Sequence, residues 1–226
     1  MAKAIRPIFL PSDKEDELIV IKNIEFEWFM GMSLSQRKNS MRSLHARAKE
    51  LGLFPILEIS TKSDDVLGNK LSAFNLSLKI DNKTMTVEAA FQGSKIFKNG
   101  GPFRDLYHVS GTDIKKDARL KESGELVGFN FNGENWPLEP KTVFYDWLYL
   151  TALSQNQDLS SELLKYKGFS DIAFNPKKSF SCQAQSAAIF VSLQNMGYIP
   201  SILNDRTLFA AMIGKVARDN SQQKLF

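Results

Sequence analysis

The chain has 226 residues, 43% of them hydrophobic, and a net charge of +4, a size and composition ordinary for a globular protein with one substantial core. No apolar run approaches the roughly 20 residues that span a bilayer, and the N-terminus lacks the apolar core of a signal peptide. We therefore expect a cytoplasmic protein without a membrane partner. The single cysteine, Cys182, excludes an internal disulfide, and with only two histidines beside it the sequence implies no metal site and no cofactor.

The N-terminal part of the chain predicts a hairpin followed by a helix. Residues 8–10 and 18–21 are apolar and β-prone, and the Pro-Ser-Asp sequence at 11–13 indicates the turn between them. Ser33 is a typical helix N-cap with a glutamine three residues later. Apolar residues at helical spacing continue up to Gly52, where we expect the helix to end.

The next segment predicts a strand, a loop and a second hairpin. Residues 56–59 form a short apolar run typical of a buried strand, and the polar residues 64–70 indicate a loop. Residues 76–86 predict a small hairpin, and its last residue, Thr86, is well placed to cap the following helix.

The second half of the chain begins with a long irregular stretch. Residues 98–140 are rich in glycine, asparagine and charge, so we expect mostly loop around a pocket, with a short helix near 113–122. Apolar periodicity predicts helices at 141–153, 159–165 and 182–195.

The helix predicted at 87–95 has an unusual polar face. Glu88, Phe91, Gln92 and Lys95 stand at i, i+3, i+4 and i+7, which places them on one side. A carboxylate, an amide, an ammonium group and an aromatic ring make a poor core stripe but a good lining for a polar pocket. The alternative is a solvated helix face, since mixed charges usually mark one.

Two groups of basic residues carry much of the positive charge. Each is either solvated surface or a contact for phosphates, whose attraction is independent of sequence. The groups are Lys115, Lys116, Arg119 and Lys121, and Lys165, Lys167, Lys177 and Lys178.

The polar helix resembles the hallmark of the NADAR family (YbiA-like N-glycosidases), which reads roughly Val-Glu-His-x-Phe-Gln-x-x-Lys. Glu88, Phe91, Gln92 and Lys95 fall in register with it, and residues 71–76 resemble the family's Leu-Ser-Asn-Phe-Tyr-Pro segment. Three positions depart from the pattern. They are Ala89 in place of histidine, Asn75 in place of tyrosine, and Phe174-Asn175 in place of the Trp-Gly element.

Several further segments resemble one branch of that family, the NADAR antitoxins paired with DarT-type DNA ADP-ribosyltransferase toxins. Together they span most of residues 26–195, and their order along the chain matches that branch. The segments are Phe26-Glu27-Trp28 with Gly31-Met32-Ser33, then 57–63, 91–95 and 174–179.

The resemblance implies an α+β fold, with one mainly helical NADAR/YbiA-like domain over residues 1–226 and a small antiparallel sheet. We expect an N-terminal extension over 1–63, containing the hairpin, helix and strand, to pack on a catalytic core at 64–200. Residues 201–226 would form a C-terminal helix or tail.

The resemblance also implies an ADP-ribosylglycohydrolase that removes ADP-ribose from guanine bases in DNA and so reverses a DarT-like toxin. The expected partners are ADP-ribosylated DNA, ADP-ribose as product, and a toxin encoded nearby. Two alternatives stay open: an N-glycosidase acting on a free ribosylated pyrimidine of riboflavin synthesis, and an antitoxin that binds toxin or modified DNA without catalysis.

The catalytic candidates are Glu88 and Lys95. Glu88 would protonate the leaving group or stabilise an oxocarbenium ion. Lys95 would either capture the sugar carbon as a Schiff base or act electrostatically. The substrate-binding candidates are Phe74, Asn75, Phe91, Gln92, Gly100, Gly101, Arg104, Trp136 and Asp171.

The binding candidates serve different parts of the ligand. Gly100, Gly101 and Arg104 suit a pyrophosphate, although the glycines are equally explained as turn residues. Trp136 is expected in a polar loop, where its ring would stack on a base. Asp171 lies just before the segment that replaces Trp-Gly. His45, on a helix face with basic neighbours, is expected at the surface.

Overall fold

The structure is a computed structural model and describes residues 2–31, 33–176 and 179–222. It contains two compact units. The first unit comprises Met1–Ser72 and Asn156–Ser201, and the second comprises Ala73–Gln155 and Ile202–Phe226. The content is α+β, which confirms the predicted fold class. The domain boundaries expected from the sequence stay a prediction.

The strands and helices are numbered in chain order. The strands are β1 Ala2–Lys14, β2 Glu17–Trp28, β3 Ile56–Glu58, β4 Ser77–Ile80, β5 Lys83–Thr86, β6 Lys95–Phe97, β7 Leu126–Phe131, β8 Glu134–Trp136 and β9 Gly168–Ser170. The α-helices are α1 Leu34–Glu50, α2 Val66–Lys70, α3 Val87–Gly93, α4 Arg119–Glu122, α5 Val143–Gln155, α6 Gln157–Leu163, α7 Gln183–Asn195, α8 Ile199–Asn204 and α9 Arg206–Gln222. Two 3₁₀ helices, η1 Arg104–His108 and η2 Gly111–Lys116, precede α4.

The first unit is built on a four-stranded sheet in the order β2-β1-β9-β3. The predicted N-terminal hairpin is present, but the turn predicted at 11–13 is wrong. β1 continues through Pro11, which is aligned with Ile19, and the strands pair until Lys14 meets Glu17. The register shifts between Pro11 and Lys14, so an irregularity in the strand accommodates the proline instead of a turn.

Helix α1 covers this sheet. As predicted, Ser33 caps it, because its hydroxyl oxygen accepts a hydrogen bond from the backbone N–H of Gln36. Gly52 follows the helix with a φ of +77°, the left-handed conformation usual after a helix end. The apolar face of α1 joins a core made of Ile8, Ile24, Phe26, Met41, Leu44, Ala48, Ile56 and Ile172.

The loop predicted at 64–70 is wrong, because α2 lies there. Asp65 caps this helix by accepting a hydrogen bond of 2.8 Å from the backbone N–H of Leu67. Gly68 permits the helix to lie close to β3, since a Cβ at this position would stand 1.9 Å from the carbonyl oxygen of Glu58. The sequence-based interpretation took this glycine for a loop residue, whereas its role is close packing.

In the second unit, the predicted hairpin at 76–86 is confirmed as β4 and β5. Thr86 caps α3, as predicted, by accepting a hydrogen bond from the N–H of Ala89. The helix predicted at 87–95 is too long, because α3 ends at Gly93 and Lys95 is the first residue of β6.

The long loop predicted at 98–140 is also wrong in part. It contains β7 and β8, which form a three-stranded sheet with β6 in the order β6-β7-β8. Asn132 and Gly133 connect β7 to β8 with φ values of +51° and +86°. Positive φ at both central residues is the pattern of a type I′ turn, for which Asn-Gly is the preferred sequence. The helix predicted at 113–122 is divided into η2 and α4.

The later helices agree with the sequence within a few residues. The segments predicted at 141–153, 159–165 and 182–195 appear as α5, α6 and α7. Most residues of α5 and all side chains from Gln183 to Leu193 in α7 are buried. Helices that are buried on most sides pack within a core, so their apolar residues are not confined to one face.

Candidate functional site

Helix α3 carries the central carboxylate of the second unit. Its first turn follows directly from β5, and the backbone N–H of Glu88 donates a hydrogen bond of 2.8 Å to the carbonyl oxygen of Ala73. The Glu88 residue is buried, as are its neighbours Ala89 and Ala90. The wet helix face considered as an alternative is therefore absent at Glu88.

Glu88 has two partners on the same oxygen. Its Oε1 accepts a hydrogen bond of 2.8 Å from Nε2 of Gln92 and lies 3.2 Å from Nζ of Lys115. Oε2 has no hydrogen-bond partner within the described part of the chain. An ionised carboxylate offers only acceptors, so an amide donor and an ammonium group suit it in that form. The partners of Glu88 are therefore concentrated on one of its two oxygens.

Lys95 approaches Glu88 from β6 rather than from the helix. Its Nζ lies 5.0 Å from the ring centroid of Phe91, a cation–π contact. The pKa of Lys95 is lowered from its ordinary value, chiefly because burial disfavours the charged amine. Glu88 opposes this effect and the charge of Lys115 adds to it. The environment therefore makes Lys95 easier to deprotonate than a solvated lysine.

Aromatic rings support both amines. Phe91 packs against Phe129 at 5.3 Å, Tyr145 at 5.2 Å and Phe144 at 6.1 Å between ring centroids. The ring centroid of Phe74 lies 4.8 Å from Nζ of Lys115. Direct contacts or electrostatic interactions thus join five of the predicted site residues, with Lys115 linking the first of them to the others. These residues are Phe74, Glu88, Phe91, Gln92 and Lys95.

Gly100 and Gly101 form a tight turn beside Lys95. The backbone N–H of Phe97 donates a hydrogen bond of 2.8 Å to the carbonyl oxygen of Gly100. Gly101 has a φ of +89°, and a Cβ there would stand only 2.2 Å from the carbonyl oxygen of Lys95. The turn therefore requires glycine for structural reasons. A contact of these glycines with phosphate stays a prediction.

Arg104 lies just beyond this turn, at the start of η1. The residue is exposed, and its Nη2 donates a hydrogen bond of 3.0 Å to Oδ1 of Asn130. The amide of Asn130 in turn donates to Oδ1 of Asn135. This short chain holds the guanidinium group at the surface of the second unit, where an anion can reach it. Asn75 is also exposed.

The polar-loop placement of Trp136 is wrong. Trp136 is the last residue of β8 and only 4% exposed. Its ring packs against Phe144 at 5.3 Å and Trp147 at 5.0 Å, and the guanidinium carbon of Arg206 lies 4.0 Å from its centroid. A ring enclosed on these sides is core, so the burial does not support stacking on a base.

Asp171 belongs to the first unit. Its Oδ1 accepts hydrogen bonds from the backbone N–H groups of Ala173 and Phe174. Its Oδ2 accepts one of 3.0 Å from Nε2 of Gln183, which also donates to the carbonyl oxygen of Ile59. The side chain is fixed by these bonds in a defined orientation.

A second buried carboxylate, Glu58, flanks this residue and was not among the predicted site residues. Glu58 is 2% exposed and accepts hydrogen bonds of 2.6 Å from the hydroxyl of Ser170 and 2.9 Å from the N–H of Ile172. Burial, and then the charge of Asp171, raises the pKa of Glu58 to about 7. A charged residue within the apolar run at 56–59 was the signal in the sequence.

His45 of α1 joins this group and is partly buried, although it was predicted at the surface. Its Nε2 lies 2.7 Å from the hydroxyl oxygen of Ser170. Because that hydroxyl donates to Glu58, it accepts the proton of His45. Burial lowers the pKa of His45 to about 4. The ring is therefore a neutral hydrogen-bond donor rather than a solvated cation.

The basic clusters are largely paired with carboxylates. Lys116 lies 2.7 Å from Asp113, and Arg119 lies 2.6 Å from Asp105 and 2.8 Å from Asp117. Lys165 is likewise paired with Glu162. Lys177 and Lys178 of the second cluster, and Met32 of the family segments, lie outside the described residues.

Within residues 2–31, 33–176 and 179–222, no three or more His, Cys, Asp or Glu side chains are grouped in a way that could hold a metal ion. None of the helices there is both long enough and apolar enough to cross a membrane.

These features define an α+β protein that holds a carboxylate and two amines against aromatic rings. The chain belongs to the NADAR-DarT1 family, described as the DarT1-associated NADAR antitoxin, whose family model matches residues 4–223. The match confirms the NADAR resemblance found in the sequence. No curated protein matches the chain.

Proposed function

We propose that this NADAR antitoxin is an ADP-ribosylglycohydrolase that removes ADP-ribose from guanine bases in DNA and so reverses the modification made by a DarT-like toxin. The observation that carries the proposal is the electrostatic interaction between Lys95 and the buried carboxylate of Glu88. The pKa of Lys95 responds to the charge of Glu88, and Phe91 lies beside the amine. An amine whose pKa is lowered and which interacts with a carboxylate suits chemistry at a sugar carbon bonded to nitrogen.

Lys95 acts as the nucleophile in this proposal. The sugar ring opens when the bond from C1 to the ring oxygen breaks, and the oxygen takes a proton. Lys95 then attacks C1, loses a proton, and displaces the base, whose nitrogen leaves with a proton. Water adds to the resulting Schiff base and releases lysine and ADP-ribose. One water is consumed, and no atom is oxidised or reduced.

Glu88 stabilises the positive charge that develops at C1 during these steps. Only one of its oxygens has partners in the described residues, Gln92 and Lys115, which leaves Oε2 to face the sugar. A carboxylate placed in this way lowers the energy of a cationic transition state without being a bond-forming group. A purely electrostatic role for Lys95 is the competing mechanism.

The remaining candidates bind the rest of the ligand. Arg104 carries a guanidinium group suited to bidentate binding of phosphate, and the exposed position of Arg104 permits access. Gly100 and Gly101 are proposed contacts for the pyrophosphate, and Phe74 and Asn75 are proposed contacts elsewhere on the ligand. Asp171 belongs to the first unit, and its role in binding stays a prediction from the sequence. Trp136 is left out of the proposed site because its ring is buried.

The experiment uses an oligonucleotide carrying ADP-ribose on guanine and follows it by mass spectrometry. Wild-type protein should release ADP-ribose and restore the base, whereas Glu88→Gln and Lys95→Ala should lose turnover and keep their fold. Cyanoborohydride should trap a covalent adduct on Lys95 only. Lys98→Ala is the matched control, since Lys98 is exposed and paired with Glu125. An active Lys95→Ala variant would rule out the Schiff base, and a stable complex with intact adduct would mean shielding without catalysis.

The pairing of the basic residues favours a second candidate function. Carboxylates neutralise Lys116 and Arg119, which weakens the case for DNA backbone contacts and leaves open a free ribosylated pyrimidine as the substrate. Activity on DNA that rests on phosphate contacts should fall steeply with salt. Activity that is insensitive to salt and prefers a free nucleoside would support the second candidate.

A further inference from the structure

Lys115 contacts the carboxylate of Glu88 in the candidate site, although it was not among the predicted site residues. It comes from η2, a short helix that contacts α3 within the second unit. The sequence placed it only in a surface cluster. Its neighbour Lys116 does pair at the surface, with Asp113, whereas Lys115 turns to Glu88. Two consecutive lysines thus have different environments.

Lys115 is a partly exposed side chain that contacts a buried carboxylate. Its side chain is 53% exposed, whereas that of Glu88 is 6% exposed, and Nζ lies 3.2 Å from Oε1. The ammonium group also makes a cation–π contact with Phe74, whose ring centroid lies 4.8 Å from Nζ. Gln92 donates to the same oxygen from the opposite end of α3. The carboxylate is therefore held by two donors from two different elements.

We propose that Lys115 is a positioning residue of the candidate site, which fixes the carboxylate of Glu88 and supplies a second positive charge that acts on the amine of Lys95. The inference rests on the proposed function for its catalytic meaning. A cationic neighbour is a known way to activate a nucleophilic lysine, because two adjacent ammonium groups repel each other. Lys115 itself forms no bond with the substrate.

The charged groups that act on Lys95 have opposite effects. Glu88 favours the ammonium form, while burial and Lys115 favour the neutral amine. Tyr107, from η1, donates or accepts a hydrogen bond with Ser94, and burial raises the pKa of Tyr107, so it stays neutral. Without Lys115, its repulsion would vanish and Glu88 would be less neutralised. Both changes make Lys95 harder to deprotonate.

The direct test measures the reactivity of Lys95 toward a limiting amount of acetic anhydride as a function of pH, with mass spectrometry of the peptides and Lys98 as internal standard. In Lys115→Met, the curve for Lys95 should move to higher pH by roughly half a unit or more. Lys115→Arg should restore it toward wild type. Lys116→Met removes an equal charge at the next residue and should leave it unchanged. An unshifted curve in a folded Lys115→Met protein would overturn the proposal.

A kinetic measurement links the shift to turnover. The acid limb of the pH profile of kcat/KM on the ADP-ribosylated oligonucleotide should move with the reactivity curve in Lys115→Met. If the reactivity of Lys95 shifts while no variant and no wild-type protein releases ADP-ribose, the positioning role holds and the proposed function fails. If Lys115→Met does not fold, Lys115→Gln takes its place, judged by the same curve.

Discussion

Glu58 on β3 lies opposite Ser170 on β9, and the serine hydroxyl donates a hydrogen bond of 2.6 Å to Oε2 of the glutamate. The backbone N–H of Ile172 donates to the other oxygen. Glu58 therefore holds the residues on both sides of Asp171, the acidic residue expected in the ligand site. A carboxylate between buried parallel strands acts here as a clamp on the chain.

We expect Glu58 to make the protein less stable as pH rises. Its pKa is raised from 4.5 to about 7 in the folded state, so its protonated form favours folding, and this contribution is lost as pH rises from 4.5 through 7. The loss amounts to a few kcal/mol. The free energy of unfolding in urea, measured between pH 5 and 8, should show this slope, which Glu58→Gln removes. Equal slopes in the two proteins would contradict the assignment.

His45 should have the opposite effect on stability. Its pKa is lowered from 6.5 to about 4 in the folded state, so the neutral ring favours folding, and this contribution is lost as pH falls from 6.5 through 4. His45→Gln keeps a donor for Ser170 and should flatten the decline in acid. The imidazole resonances of His45 give an independent check, because they should not move until the pH approaches 4.

Gly101→Ala should be clearly more harmful than Gly111→Ala. Both glycines have positive φ, +89° and +69°, but a Cβ at Gly101 meets the carbonyl of Lys95 at 2.2 Å, whereas a Cβ at Gly111 meets no described atom within 4 Å. Backbone strain of about 1–3 kcal/mol is expected at either site, and the clash adds to it only at Gly101. Thermal unfolding measures the difference, and equal shifts in Tm would show that the turn relaxes freely.

Trp136→Phe should lower stability by about 1–3 kcal/mol without weakening the binding of ADP-ribose. The ring lies against Phe144 and Trp147 and below Arg206, so the substitution acts on packing. Phe74→Ala provides the contrast, since Phe74 is half-buried beside Lys115 and its loss should weaken binding more than folding. Calorimetric titration with ADP-ribose and thermal unfolding separate the two effects.

Local signals predicted the regular elements well. The caps at Ser33 and Thr86 were located because a hydroxyl just before a helical pattern can accept a hydrogen bond from a backbone N–H of the first turn. The Asn132-Gly133 turn carried an equally specific signal, but the surrounding polar residues led to the prediction of a loop. Gly68 was misread because the glycine is needed for close packing of α2 against Glu58 of β3, and the local sequence does not show that contact.

From residue spacing, only the part of the candidate site that lies on a single helix could be predicted. Glu88, Phe91 and Gln92 came from the spacing on α3, whereas Lys115 comes from a different element that no spacing relates to α3. His45 was misplaced for the same reason, because its partner Ser170 is 125 residues away along the chain. Trp136 was misjudged because polar neighbours do not reveal which side of a strand faces the core.

The position of Lys95 in a strand affects how the amine moves. Its backbone is aligned with Phe129 of β7, and the turn at Gly101 abuts its carbonyl, so only the side-chain torsions can carry Nζ toward or away from a ligand. An amine anchored in this way returns to the same place after each encounter. Small aldehydes of different lengths should therefore label Lys95 at different rates. The rate should depend on how closely each aldehyde places its carbonyl carbon within reach of Nζ from the strand.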